Sequence, residues 1–152
     1  MFDHLIQKEV QAYIKDYTGE LSRLAFSKNP FDTVSTKELI QQIQSRQKAK
    51  TKLPTWFNTP GIIYPAKLHI EQTSSEATAA YKQSIVKGNT LADITGGFGI
   101  DSYYFSQTFK KVHHFEIQEH LYHVVTHNLK HLPNNGFKSQ LKDGLKAIEH
   151  KT

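Results

Sequence analysis

A chain of 152 residues, 38% hydrophobic and 22% charged, can bury one substantial core or two small ones. Nineteen lysines and arginines against fourteen acids give a formal charge of +5 and a pI near 9.3, a modest excess that favours a polyanionic partner without establishing one. The lack of cysteine excludes disulfides and cysteine-based zinc sites. No apolar run approaches the roughly twenty residues of a membrane helix and Met1 to Val10 lacks a signal-peptide core, so a soluble, cytoplasmic protein without a membrane partner is expected.

In chain order, Asp3 to Tyr17 carries Leu5, Ile6, Val10, Tyr13, Ile14 and Tyr17 near the 3.6 period, which predicts a first helix. A short second helix is predicted over Glu20 to Ser27, stopped by Asn29-Pro30. Ser35 and Glu38 form a capping box, so a third helix starts at Thr36 and buries Leu39, Ile40 and Ile43. Residues 1–68 thus read as a helical module ending in a linker. That linker places Arg46, Lys48, Lys50 and Lys52 beside Trp56 and Phe57, a set suited to clasping a nucleic-acid strand through phosphates and stacked bases. The same residues also suit a plainer role, with Trp56 plugging the interface between two modules. Ile62 to Tyr64 reads as a short extended segment.

Residues 69–152 have a different texture. His69 to Lys82 is predicted as one helix with a second capping box at Thr73 and Glu76, and Gly88 as its stop. Then comes Leu91 to Asp101, L-A-D-I-T-G-G-F-G-I-D, an apolar strand running through a glycine-rich turn into a helix. Backbone N–H groups converge at such a turn, which makes a cradle for a cofactor. Asp93 ends the strand as a hydrogen-bond acceptor, Gly96, Gly97 and Gly99 let a ligand lie against the backbone, and Asp101 falls where a carboxylate suits a helix start. A second strand, Lys111 to Phe115, delivers Glu116 beside the first turn, within reach of ribose hydroxyls. No G-K-[ST] follows the glycines, which removes the P-loop reading, and Ser102 meets the third small position of a dinucleotide fingerprint only loosely.

A helix is predicted from Glu119 to Leu132, with His120, His123, His127 and His131 along one face. These histidines are read as a solvent-facing stripe that gains charge in mild acid, since a zinc site would need a further ligand, and no metal is assigned. Pro133 to Gly136 reads as a turn, Phe137 to Leu141 as a third strand and Asp143-Gly144 as its exit.

The acidic residue, spacing and G-x-G core of Asp93 to Gly99 resemble motif I of the class I S-adenosylmethionine-dependent methyltransferases. The resemblance implies an α/β fold in which the helical module precedes the first half of a Rossmann-like domain, strands 1 to 3 with flanking helices. It assigns the methionine end of the cofactor to Asp93, Thr95, Gly96, Gly97, Phe98, Gly99 and Asp101, the ribose to Glu116, and the adenine to Ile117, Asp143 and Gly144. Gln72, just before the predicted cap, either lies near the methionine end or is a solvated loop residue. K-L-P-T-W at Lys52 to Trp56, the run from Glu71 to Lys82, and D-I-T-G-G-F-G-I-D-S from Asp93 together resemble the methyltransferases that carry a THUMP-like domain. That likeness implies an RNA substrate.

An Asn or Asp followed by Pro-Pro, the substrate motif of base methyltransferases, does not occur, and no catalytic residue is named. The chain is therefore expected to hold the cofactor-binding half of a longer enzyme, to be inactive by itself, and to self-associate through the apolar strand edge Leu91 to Ile94. Two other classes remain open: a nucleic-acid-binding module on a Rossmann-like scaffold, and a nicotinamide oxidoreductase, which Ser102 disfavours.

Overall fold

A computed structural model describes residues 1–133 and 136–149. Asn134 and Asn135, at the centre of the turn predicted over Pro133 to Gly136, lie outside the described residues. In chain order the elements are α1 (Lys8–Asp16), α2 (Leu21–Phe26), α3 (Thr36–Lys52), α4 (Pro54–Asn58), α5 (Lys67–Gln72), α6 (Glu76–Ile85), β1 (Thr90–Asp93), α7 (Ile100–Phe105), β2 (Lys111–Glu116), α8 (Glu119–Asn128), β3 (Phe137–Leu141) and α9 (Gly144–Glu149).

The three strands are parallel and lie in the order β1-β2-β3, with Asp93 opposite His114 and Glu116 opposite Leu141. Each crossover runs through a helix, as parallel pairing requires. Helix α7 packs on β1 and β2, α8 on β2 and β3, and α9 on β2. β2 is therefore buried along most of its length. β1 is only half-buried and has one open edge.

The Ser35–Glu38 capping box forms as read, with Glu38 N–H donating to Ser35 Oγ at 3.2 Å and Ser35 N–H to Glu38 Oε2 at 2.9 Å. His4 adds a 2.8 Å contact to Glu38 Oε1, and this hydrogen bond leads the effects that hold the carboxyl down at about 2. Other boundaries differ. The first helix begins only at Lys8, because the chain turns back on itself at Phe2, whose carbonyl accepts from the Leu5 and Ile6 N–H groups. The third continues through Lys52, so Arg46, Lys48, Lys50 and Lys52 stand on a helix and not in a linker.

The predicted helix over 69–82 is two helices. The Thr73 N–H closes α5 on the His69 carbonyl, and Ser75, not Thr73, caps α6 by accepting from the Thr78 N–H at 3.0 Å. Glu76 is then free of capping duty. Its buried carboxylate accepts from the Thr55 N–H at 2.6 Å, the Thr55 hydroxyl at 2.8 Å and the Tyr104 hydroxyl at 2.7 Å, tying α4, α6 and α7 together. Burial, with the Glu76 hydrogen bond adding to it, raises the Tyr104 hydroxyl well above its ordinary range, so it stays a donor.

One hydrophobic cluster runs from Phe2 to Phe137 across position 68, so the helical segment and the sheet share a core. Trp56 is 1% exposed and packs on Tyr103 at 5.0 Å and Phe98 at 6.2 Å. This corrects the exposed stacking ring among the two sequence readings, because its indole plugs the joint. Buried residues Ile63 and Tyr64 cross the same core, and no strand among the described residues pairs with them. Two buried carboxamides replace the missing strand. Gln42 bonds both the N–H and the carbonyl of Tyr64 at 2.9 and 2.7 Å, and Asn128 does the same for Ile63 at 2.8 Å each. Every backbone polar group of that pair is thereby satisfied, as a buried segment demands.

Candidate functional site

The carboxyl ends of parallel strands are where an α/β sheet leaves room for a ligand, and here the ends of β1, β2 and β3 border a cavity of about 720 Å³. Of the expected residues, Gln72, Thr95, Gly96, Gly97, Phe98, Asp101, Glu116, Ile117, Asp143 and Gly144 line it. Asp93 and Gly99 stand behind the wall. Asp93 Oδ1 accepts from the Thr95 N–H and hydroxyl, and its Oδ2 accepts from the Ser102 hydroxyl at 2.7 Å, so this carboxylate shapes the loop from beneath.

The glycine loop is clamped by Glu116, which is 6% exposed. Glu116 Oε2 accepts from the Gly97 N–H at 2.8 Å and Oε1 from the Gln118 N–H at 2.7 Å, leaving further lone pairs toward the cavity. Gly96 has φ +42, and a Cβ there would lie 2.1 Å from the Phe115 carbonyl oxygen. The loop can therefore sit flat on the end of β2 only with glycine at that position. Phe98 points its ring into the core, and its main chain faces the cavity.

Asp101 stands in the first turn of α7, as expected, but its side chain makes no cap hydrogen bond there. Gly99 occupies the cap of α7, and the Asp101 side chain turns away to Lys82 Nζ at 2.9 Å and the Ser74 hydroxyl at 3.0 Å. Its Oδ1 is buried without a partner. Asp143 caps α9 by accepting from the Lys146 N–H, and Ile117 stands 70% exposed at the rim.

His69, Ser74, Lys82, Gln118 and Leu145 also border the cavity, and sequence reasoning missed them. Lys82 carried a faint signal, as the only cation in the run from Glu76 to Ile85. His114 was missed too. Fully buried below the loop, its Nδ1 meets the Ser139 hydroxyl at 2.9 Å and its Nε2 meets the Gly97 carbonyl at 3.2 Å. Because a carbonyl only accepts, Nε2 carries the proton and Nδ1 accepts from Ser139.

Burial pushes the His114 imidazole below its ordinary 6.5, against the opposing pull of the Asp93 and Glu116 charges. The unfolded chain then binds the proton more readily than the folded one, so this stability is complete above 6.5 and is lost as pH falls toward the folded value. The thermal stability of the wild type should fall as pH is lowered across that window. His114→Gln should remove part of the slope, and an identical slope in the variant would show that His114 does not titrate there.

Of the histidine stripe, His120 and His131 are exposed, as expected, while His123 and His127 are half-buried. His127 Nε2 lies 2.9 Å from the Gly61 carbonyl, and the Phe2 ring stands edge-on to His127 and His120. Among the described residues no three metal-ligating side chains converge. The basic set is likewise partly engaged. Lys52 Nζ donates to the Ile70 and Glu71 carbonyls at 2.8 Å each, and Lys48 lies 3.8 Å from Glu71 Oε1. Lys50 is exposed.

No family model and no curated protein matches the chain. Among solved structures it is similar to a crystal structure described as a "putative methyltransferase" from Porphyromonas gingivalis W83, at 24% identity and a TM-score of 0.74. The two share a fold. The match covers 93% of this chain and 37% of that one, so this chain spans little more than a third of the other's length. At that identity the likeness concerns architecture, which agrees with the parallel sheet and its preceding helices. No helix among the described residues is long and apolar enough to cross a membrane.

Proposed function

We propose that this chain binds S-adenosylmethionine and serves methyl transfer to RNA, as the cofactor-holding portion of a methyltransferase. The observation that carries the reading is the glycine loop clamped by Glu116 at the mouth of the cavity. Its volume of about 720 Å³ lies within the range of about 300–1,000 Å³ for small-molecule sites. The donor set fits the two ends of such a cofactor. At one end Lys82 offers a cation to a carboxylate, while the unpartnered Asp101 Oδ1 offers an acceptor to an ammonium. At the other, Glu116 offers acceptors to ribose hydroxyls, and Ile117, Leu145 and the Asp143-Gly144 backbone offer a slot to a base.

When bound, the cofactor supplies an electrophilic methyl group on a sulfonium, and the chain's own part is binding and orientation. RNA as the acceptor is supported by the motif likeness to methyltransferases that carry a THUMP-like domain and by the +5 charge. The open edge of β1, flanked by exposed Ile94, supports pairing with a second copy of the chain.

Calorimetric titration with S-adenosylmethionine, S-adenosylhomocysteine and NAD tests the reading. The two adenosyl-sulfur ligands should bind and NAD should not. Glu116→Ala should weaken them by about ten- to a hundredfold, the worth of a charged hydrogen bond, with Glu116→Gln in between. Undiminished affinity in Glu116→Ala would remove the ribose assignment, and a preference for NAD would remove the methyltransferase reading.

A further inference from the structure

A second cavity, of about 300 Å³, opens between the last turn of α1, the middle of α3 and the exit of α4. Lys15, Arg46, Phe57, Asn58 and Tyr64 are among its lining residues. It contains two cations and no carboxylate. Four other cations have acidic partners: Lys48 and Lys67 meet Glu71, Lys82 meets Asp101, and Arg23 meets Glu20. Among the described residues, neither Lys15 nor Arg46 has an acidic partner.

The Arg46 guanidinium carbon stands over the Phe57 ring, 3.9 Å from its centroid, and among the described residues its one acceptor is the Phe57 carbonyl at 3.5 Å, the far limit of a hydrogen bond. The contact holds the group against the ring and leaves most of its five N–H donors unused, which suits a two-toothed grip on an oxyanion. The Tyr64 hydroxyl is already committed to the Trp56 carbonyl at 3.2 Å, so Tyr64 contributes ring surface to the wall. A bare inorganic ion would fill only part of about 300 Å³, the lower end of the range for organic ligands.

We infer that this cavity is a phosphate-ester site, in which the Arg46 fork and the Lys15 ammonium hold the phosphate while Phe57 and Tyr64 face the sugar or base attached to it. Two sources share that chemistry, a phosphodiester of single-stranded polynucleotide and a small nucleoside monophosphate. The first deepens the proposal that RNA is the substrate and rests on that reading, whereas the second is independent of it. The basic residues that touch nucleic acid are then Arg46 and Lys15, one from each of two helices, in place of the row from Arg46 to Lys52. Lys48 and Lys52 serve α5 instead.

The test is calorimetric titration of the full chain with AMP and with a short unstructured oligoribonucleotide, in the wild type and in Arg46→Gln, Lys15→Gln and Lys50→Gln. The inference expects affinity to fall about tenfold in Arg46→Gln and Lys15→Gln, with the salt slope for the oligonucleotide reduced by about one. Lys50→Gln should match the wild type. Sensitivity for the oligonucleotide alone assigns the site to polynucleotide, and sensitivity for AMP alone assigns it to small esters. Either supports the site. Lys15 is exposed, so its variant decides the matter if Arg46→Gln does not fold. No binding of either probe by the wild type, or binding unchanged in Lys15→Gln and in folded Arg46→Gln, would overturn the inference. A parallel titration with S-adenosylmethionine separates the two readings. Cofactor binding without phosphate-ester binding defeats this site and spares the methyltransferase, and the reverse result defeats the methyltransferase and spares this site.

Discussion

Gly96→Ala is expected to lower affinity for S-adenosylmethionine by about ten- to a hundredfold, the equivalent of one charged hydrogen bond, and to destabilise the chain as well. The added methyl would meet the Phe115 carbonyl oxygen at 2.1 Å, its carbon at 2.9 Å and Glu116 Oε2 at 3.0 Å. Phe115 belongs to the central strand, held on both sides, so the loop must move instead. Lifting it breaks the 2.8 Å bond from the Gly97 N–H to Glu116, the contact that joins the loop to the ribose-side acid. Gly97→Ala is the control. At φ +64 it strains the backbone by about 1–2 kcal/mol, but its methyl would meet only the Thr95 carbonyl, at 3.8 Å. Calorimetry and thermal unfolding of both variants measure the difference. Equal behaviour of the two would mean that the close approach at Gly96 does not hold the loop.

Trp56→Ala should be the most damaging single change to stability, costing about 3–5 kcal/mol by the usual toll of removing a buried aromatic. Its indole touches Tyr103 of α7 and Phe98 of the glycine loop, while its carbonyl accepts from Tyr64. The cavity left behind would open at the joint between the helices and the sheet, so cofactor affinity should fall along with stability. Chemical denaturation reads the first effect and titration the second, with Trp56→Phe giving the milder version of each. A loss below about 1 kcal/mol would show that the joint does not depend on this ring.

Much of the architecture was legible because it is written locally. The strand, glycine loop and Glu116 stand in consecutive stretches whose period and turn chemistry announce them, and the Ser35–Glu38 box marks a helix start within four residues. What could not be read depends on partners far away in the chain. Glu76 has the spacing of a capping residue from Thr73, yet it is drawn into the core by Thr55 and Tyr104, twenty-one and twenty-eight positions off. Asp101 has the address of a helix-start carboxylate and is claimed by Lys82 and Ser74. Arg46 to Lys52 looks like a charged linker because Lys52 and Lys48 find α5 only after folding. His114 sits beside His113 in the strand, and no local rule says which of the two will be sealed beneath the loop.

The carboxamides of Gln42 and Asn128 have a consequence for how the molecule comes apart. One reaches from α3 and the other from α8, and both grip adjacent residues of the segment that joins the helices to the sheet. Separating the helical segment from the sheet would leave at least one of these residues, buried on both sides, with donors and acceptors that water must reach before any other partner can. The joint is therefore no line of weakness. Helices and sheet should melt as one cooperative unit, and the amide hydrogens of Ile63 and Tyr64 should exchange with solvent only when the whole chain opens.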